Sequence, residues 1–359
     1  MHTDGGAVVF SAGDLVGHLN CRYLTLLDLK VARGELAKPK IRQDPTLDAL
    51  VERGKIHEQG FVHHLAKRGG AVTVIAGVGI DQASIAQTRL AMTRGDAVIV
   101  QAALQNGHWG GRADVLRRVE TPSGLGVWSY EVIDTKLARE TKGNTVLQLS
   151  LYSDLLGTLQ QKVPETAQVV TPGTDYLPED YRVADFAAFY RHVRRSLETF
   201  TAQSSREGGY PDPIEHCEVC RWCEHCATKR RADDHMSLVA GISKIQIEEL
   251  VRRGVGSMTA LANLPLPLPW QPDRGSSPSY EKVREQARIQ VEGRAQGKVL
   301  HETLPLVPEF GLYRLPPPSP GDVFSISRVI RSWTAVDSSS CSAIFMPMTT
   351  AQRPMSATG

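Results

Sequence analysis

The 359-residue chain lacks any long apolar run: "AVTVIAGVGI", the longest, has ten residues, against about 20 for a helix that spans a bilayer. Its opening, "MHTDGGAVVFSAGDL", lacks the basic region and apolar stretch of a secretory signal. No single sign of charge dominates. With 41 Lys+Arg against 39 Asp+Glu, net charge neither demands nor excludes a polyanionic partner, so local clusters must carry that question. Internal repeats are also missing. A cytoplasmic protein without membrane partners is the expectation, and there the six cysteines read as metal ligands or free thiols before disulfides. The length suits two domains, or one large domain with attachments.

What is present is an alternation of helical and strand-like segments. Residues 46–68 repeat apolar groups at helical spacing (Leu47, Leu50, Val51, Phe61, Leu65), with Gly54 and His57 on the same stripe. "AVTVIAG" follows as a strand and "DQASIAQTRLAMTRG" as a helix. Then come three strand-like runs, "AVIVQAAL", "HWGGRADVLRRVE" and "VWSYEVIDTK", the last two joined by the turn composition "TPSGLG" into a hairpin. "TVLQLSLYSDLLGTLQQ" reads as a helix, "TAQVVTP" as a strand and "VADFAAFYRHVRRSLETFTAQ" as a long helix. This order predicts an α/β sheet with helices on both faces.

Within the third run, Asp134 and Lys136 stand two apart and share a face, because side chains alternate along a strand. An isolated D-x-K is an ordinary surface ion pair, so its surroundings decide. Folding the hairpin about "TPSGLG" brings Asp114 opposite Ile133 or Asp134. Two carboxylates that close are unfavourable unless a cation lies between them, and oxygen ligands of this kind suit a hard divalent ion. A lysine beside such an ion can orient water and offset developing charge. On the next helix Gln148 and Tyr152 are four apart and share a face, placed to position a phosphate or Lys136, or simply to form a polar edge. His57 is either a satisfied core histidine or a ligand; Gly54, one turn earlier, permits close approach to the sheet.

"CEVCRWCEHC" spaces Cys217, Cys220, Cys223 and Cys226 evenly. A structural zinc takes two CxxC turns separated by a longer loop, whereas tight C-x2-C repeats are familiar from iron–sulfur clusters. Cys21 lies far upstream.

Together "GRADVL", "VIDTK" and "QLSLY", with "GKIHEQG" before them, resemble the RecB-like branch of the PD-(D/E)xK nucleases over about residues 8–230. The resemblance implies a restriction-endonuclease-like mixed sheet flanked by helices. It further implies that Asp114 and Asp134 bind Mg2+ or Mn2+, Lys136 is the catalytic lysine, His57 is an extra ligand, and Gln148 with Tyr152 complete the site. One departure is the acid of the (D/E)xK motif, Asp where this branch commonly uses Glu. Members with a 4Fe–4S cluster take one cysteine before the nuclease core and three after it, which Cys21, Cys217, Cys220 and Cys226 match. Cys223 is then a surplus or alternative ligand. Such a cluster would staple two distant segments, limiting the freedom of the unfolded chain.

Beyond residue 210 the texture changes, and the nuclease-like segment with its cysteines is read to residue 233. Residues 234–265 contain a helical pair, "ELVRRGVGSMTALANL", that resembles a helix-hairpin-helix element. Its second helix would hold a DNA phosphate on backbone amides, with Arg252, Arg253, Gly254 and Gly256 at the turn; a plain packing hairpin is the alternative. Residues 266–324 begin with a linker-like composition, "PLPLPWQPDRGSSPS", and continue through a charged helix to "PSPGDVF". Residues 325–359 have neither periodicity nor turn logic and are expected to be disordered. Back-translated with one base restored, Ser325 to Trp333 can read F-D-L-E-G-D-P-F-V, resembling the first motif of an RNase H-like exonuclease. That suggests a frameshift-truncated member of a long subfamily in which such a domain, sometimes with a helicase, follows the nuclease. The expected function is a metal-dependent nuclease acting on DNA ends or single strands; a non-catalytic DNA-binding scaffold and a zinc-binding adaptor are the alternatives.

Overall fold

The computed structural model describes residues 1–40, 45–68, 71–203, 209–303, 307–317 and 319. Residues Met1–Gly297 form one compact unit, and Lys298–Gly359 a second whose described part holds only a short 3-10 turn at Gly311–Arg314. The expected motif start at residues 321–324 and the tail from Ser325 lie outside the described residues. Among the described residues no helix is long and apolar enough to cross a membrane.

The first unit is α/β. A short ribbon, β1 (His2–Asp4) and β2 (Ala7–Val9), precedes α1 (Ala12–Asn20), α2 (Arg22–Ala32) and α3 (Pro45–Lys67). Six strands make one mixed sheet in sequence order: β3 (Val72–Val74), β4 (Val98–Asn106), β5 (Trp109–Val119), β6 (Ser129–Thr135), β7 (Thr166–Val170) and β8 (Glu179–Arg182). β3 is parallel to β4 and β6 to β7, and the other neighbours are antiparallel. Parallel neighbours need long crossovers, supplied by α4 (Gln82–Arg94) between β3 and β4 and by α5 (Gly143–Gln160) between β6 and β7. Then follow α6 (Val183–Ala202), α7 (Cys223–Ala232), α8 (Lys244–Arg252), α9 (Met258–Ala262) and α10 (Ser277–Gln296).

Both faces of the sheet are covered, so its strands are apolar on both sides. Ile99, Leu116, Val132 and Val169 face a core shared with Leu147, Leu151 and Leu155 of α5. Val98, Val100, Val115, Ile133 and Val170 face Phe61 of α3. The apolar stripe of α3 is only partly used, which corrects the sequence expectation. Phe61 is buried, whereas Leu47, Leu50 and Val51 are exposed, because the sheet lies under the C-terminal half of the helix alone.

The C-terminal helices have their own core, built on Met236, Leu250, Met258, Leu261, Tyr280 and Val283. The proline-rich stretch before α10 is no free linker. Leu268 and Trp270 pack against that core, and the Trp270 ring meets Tyr280 edge-on at 5.6 Å. Its hub is Glu249, buried, with Oε1 accepting from Arg253 Nη2 and the Asp273 amide at 2.9 and 2.8 Å and Oε2 accepting from Tyr280 Oη at 2.8 Å.

Candidate functional site

The β5–β6 ladder runs from Val119↔Ser129 to Val115↔Ile133 and stops there. The next residues on each strand are Asp114 and Asp134, where the ladder would continue, so the register brings the two acids together. In place of a ladder bond, Asp114 Oδ2 accepts the Thr135 backbone N–H at 2.9 Å and the Thr135 hydroxyl at 3.1 Å. Asp134 is 0% exposed. Its Oδ2 lies 2.6 Å from Lys136 Nζ but has no hydrogen bond of its own, while its Oδ1 accepts Gln148 Nε2 at 3.1 Å. Lys136 Nζ also reaches Gln148 Oε1 at 3.4 Å, closing a triangle of acid, lysine and amide. Burial, and after it the Asp114 carboxylate, pushes the Asp134 carboxyl up to about 7 against the pull of Lys136.

Tyr152 completes this side. Burial, with Asp134 and Asp114 behind it, keeps the proton on its phenol well above the usual tyrosine range. The ring lies against the backbone of Gly111, where a Cβ would come within 2.4 Å of its Cε1. Only glycine leaves room for it.

From the opposite face α3 contributes two neighbours, His57 and Glu58. His57 reaches the end of β7. Its Nε2 lies 3.2 Å from the Val170 carbonyl, which also accepts the Lys136 backbone N–H at 3.0 Å, and its ring stacks on Tyr176 at 5.7 Å. If Nε2 carries the proton, Nδ1 is left as the ring's acceptor, the usual arrangement of a ligating histidine oriented by a carbonyl. The residue next to it was not foreseen. The Glu58 carboxyl is raised by burial and then by Asp114, and it accepts Gln101 Nε2 at 2.5 Å. The available signals were Glu58 four residues after Gly54 and a lone polar residue inside the apolar run "AVIVQAAL".

The donor chemistry suits a hard divalent cation: two neighbouring carboxylates, one of them fully buried, are a pair that such an ion relieves. Among the described residues, no three His, Cys, Asp or Glu side chains stand close enough to hold one ion.

The cysteines form a second centre. Cys21, Cys217, Cys220, Cys223 and Cys226 all line one pocket between the start of α2 and the segment leading into α7. Three of the sulfurs accept backbone N–H groups: Cys21 from Leu24 at 3.4 Å, Cys217 from Ile214 at 3.5 Å and Cys220 from Trp222 at 3.4 Å. Without a metal, burial and then Cys220, Cys21 and Cys217 push the Cys226 thiol up to about 11, against the pull of Arg230.

The helical-hairpin turn engages its arginines and opening amides within the fold, as a packing hairpin does. Arg253 turns inward to Glu249 and Asp273, both at 2.9 Å, and lies over the Trp270 ring. Arg252 pairs with Asp273 at 3.3 Å. The amides that open α9 are already taken: Asp234 accepts from Met258 through its carbonyl at 2.8 Å and from Thr259 through its carboxylate at 2.7 Å. Gly254, at φ 83°, serves the turn, and a Cβ on Gly256 would meet open space.

No protein-family model matches the chain, and no curated protein does. Solved structures do match, among them the crystal structure of SSO0001, at 16% identity over 64% of this chain and 89% of that one, with a TM-score of 0.30. A likeness so distant carries neither fold nor function to this chain.

Proposed function

We propose that the chain is a metal-dependent nuclease with a restriction-endonuclease-like core of the RecB-like PD-(D/E)xK kind, hydrolysing phosphodiester bonds of DNA at ends or in single strands. The observation that carries this reading is the contact of Lys136 with a fully buried Asp134 at the point where Asp114 interrupts the hairpin ladder. A surface ion pair would leave both partners in water. Here the acid is sequestered, while the Lys136 side chain remains 30% exposed and can reach a substrate.

Asp114 and Asp134 would hold Mg2+ or Mn2+, with His57 as a further candidate ligand; the ion, when bound, supplies Lewis acidity and lowers the pKa of its water. Lys136 orients the attacking water and offsets charge that builds on the phosphate. Gln148 fixes both Asp134 and Lys136, so that neither swings away when substrate enters. Cys21, Cys217, Cys220 and Cys226 would hold a structural 4Fe–4S cluster, with Cys223 beside it.

End-labelled single- and double-stranded DNA, incubated with Mg2+ or Mn2+, tests the reading. Release of labelled product by the parent protein and none by Lys136→Ala supports it. No cleavage of either substrate with either ion defeats it. Anaerobically purified protein should contain iron and acid-labile sulfide, lost on Cys21→Ser, Cys217→Ser, Cys220→Ser or Cys226→Ser but retained on Cys223→Ser. Stoichiometric zinc without iron would favour the adaptor alternative.

A further inference from the structure

We propose that Arg230 is the counter-charge of the cysteine centre: its buried guanidinium makes closure of the pocket depend on an anionic cluster held by the cysteines. The inference rests on the iron–sulfur part of the reading above and is independent of the nuclease chemistry.

Arg230 lies in the last turn of α7, one turn after Cys226, so the two side chains share a helix face. It is 8% exposed and lines the same pocket as Cys21, Cys217, Cys220, Cys223 and Cys226. An arginine keeps its charge in a protein, and a buried charge is strongly unfavourable unless an anion compensates it. Among the described residues no carboxylate pairs with Arg230. The acids of this region are engaged elsewhere. Asp233 takes Lys229 at 2.9 Å and the Tyr210 hydroxyl at 2.7 Å. Asp212, half-exposed at the pocket, faces His235 at 3.9 Å. The one partner of the guanidinium is neutral: Nη1 donates to the buried Pro211 carbonyl at 2.6 Å. Pro211 belongs to the segment that leads into the cysteine run, so this bond holds the charge at the pocket wall and away from water.

Neutral thiols leave that charge uncompensated. Cysteines bind a cluster as thiolates, and four thiolates with the bridging sulfides outweigh the charge of the irons, so a loaded centre is an anion beside the guanidinium. Arg230 therefore opposes the closed pocket when the cysteines are empty and favours it when they are loaded. One-electron reduction adds a further negative charge to the same place, and a fixed cation in a medium of low dielectric favours the more negative form. The midpoint potential rises accordingly, since charge near a cluster is one of the factors that set it.

Anaerobically purified full-length protein is compared with Arg230→Gln, which keeps a donor for the Pro211 carbonyl, and with Arg230→Lys, which keeps the charge. Iron release to a chelator should be about ten-fold faster in Arg230→Gln. Its midpoint potential, titrated with dithionite as the electron donor, should fall by about ten-fold in the reduction equilibrium, about 59 mV for a one-electron couple. Arg230→Lys should stay near the parent in both. After the cluster is stripped, Arg230→Gln should melt no lower than the stripped parent, whereas loaded Arg230→Gln should melt below the loaded parent. A merely structural arginine would lower both melts alike and leave the potential in place. If the parent carries iron and sulfide while Arg230→Gln matches its potential, or loses as much stability stripped as loaded, this inference alone fails. A parent without iron and acid-labile sulfide sinks the iron–sulfur reading and this inference together.

Discussion

Asp28 of α2 accepts the indole N–H of Trp222 at 2.7 Å across 194 residues of sequence, and the same carboxylate takes the Arg221 guanidinium. The contact fastens the start of the chain to the cysteine segment independently of any cluster. Leu24, Leu27, Trp222 and Cys226 pack around it. Asp28→Ala should cost about 2 kcal/mol in denaturant unfolding and speed loss of iron on exposure to air. Unchanged stability would mean that the cysteines alone join the two segments.

Asp134→Asn should separate stability from activity. Burying a charged carboxylate beside Asp114 is unfavourable without an ion, so the neutral amide should stabilise the metal-free protein by on the order of 1–2 kcal/mol. Cleavage should vanish. A lower melting temperature in Asp134→Asn would show that the Lys136 contact outweighs the repulsion.

Gly111→Ala tests the seat of Tyr152. A methyl group placed 2.4 Å from the ring must displace it, which should cost about 1–3 kcal/mol and reduce cleavage more than DNA binding. Loss of stability with full activity would make Tyr152 a packing residue only.

Acid should weaken the C-terminal helices through Glu249. Burial alone would raise this carboxyl, but the Asp273 amide, the Tyr280 hydroxyl and Arg253 outweigh it and hold the group down at about 2. A depressed folded value means that its stabilisation is fully present above the ordinary value of 4.5 and disappears as pH falls toward about 2. Glu249→Gln should be less stable than the parent at neutral pH, and the difference should shrink across that window in thermal melts. A difference independent of pH would show that the side chain matters for its shape rather than its charge.

Local chemistry was legible in the sequence. Period-two alternation and turn composition marked β5 and β6, and the i, i+2 rule paired Asp134 with Lys136. The spacing of cysteines marked a shared centre. These features depend on neighbours a few residues apart, which a linear pattern records. Less legible was anything set by a distant partner. The stripe on α3 counts Leu47, Leu50 and Val51 as core, but burial depends on whether a sheet lies beneath them, and none does. Arg253 read as a phosphate contact because its partners Glu249, Asp273 and Trp270 are brought together only by the folded helices.

By itself the sequence determined the mixed strand-and-helix order, the face shared by Asp134 and Lys136, and the grouping of cysteines at two distant points. Tertiary structure alone decided that the hairpin ladder stops at Asp114, that the left-handed Gln101 reverses the alternation opposite it, and that Glu58 takes the Gln101 amide while His57 meets the Val170 carbonyl. The physical reason is that alternation and helical spacing fix where a side chain points relative to its own element. Which side chain it meets depends on register and backbone conformation across elements, and a single left-handed residue changes both.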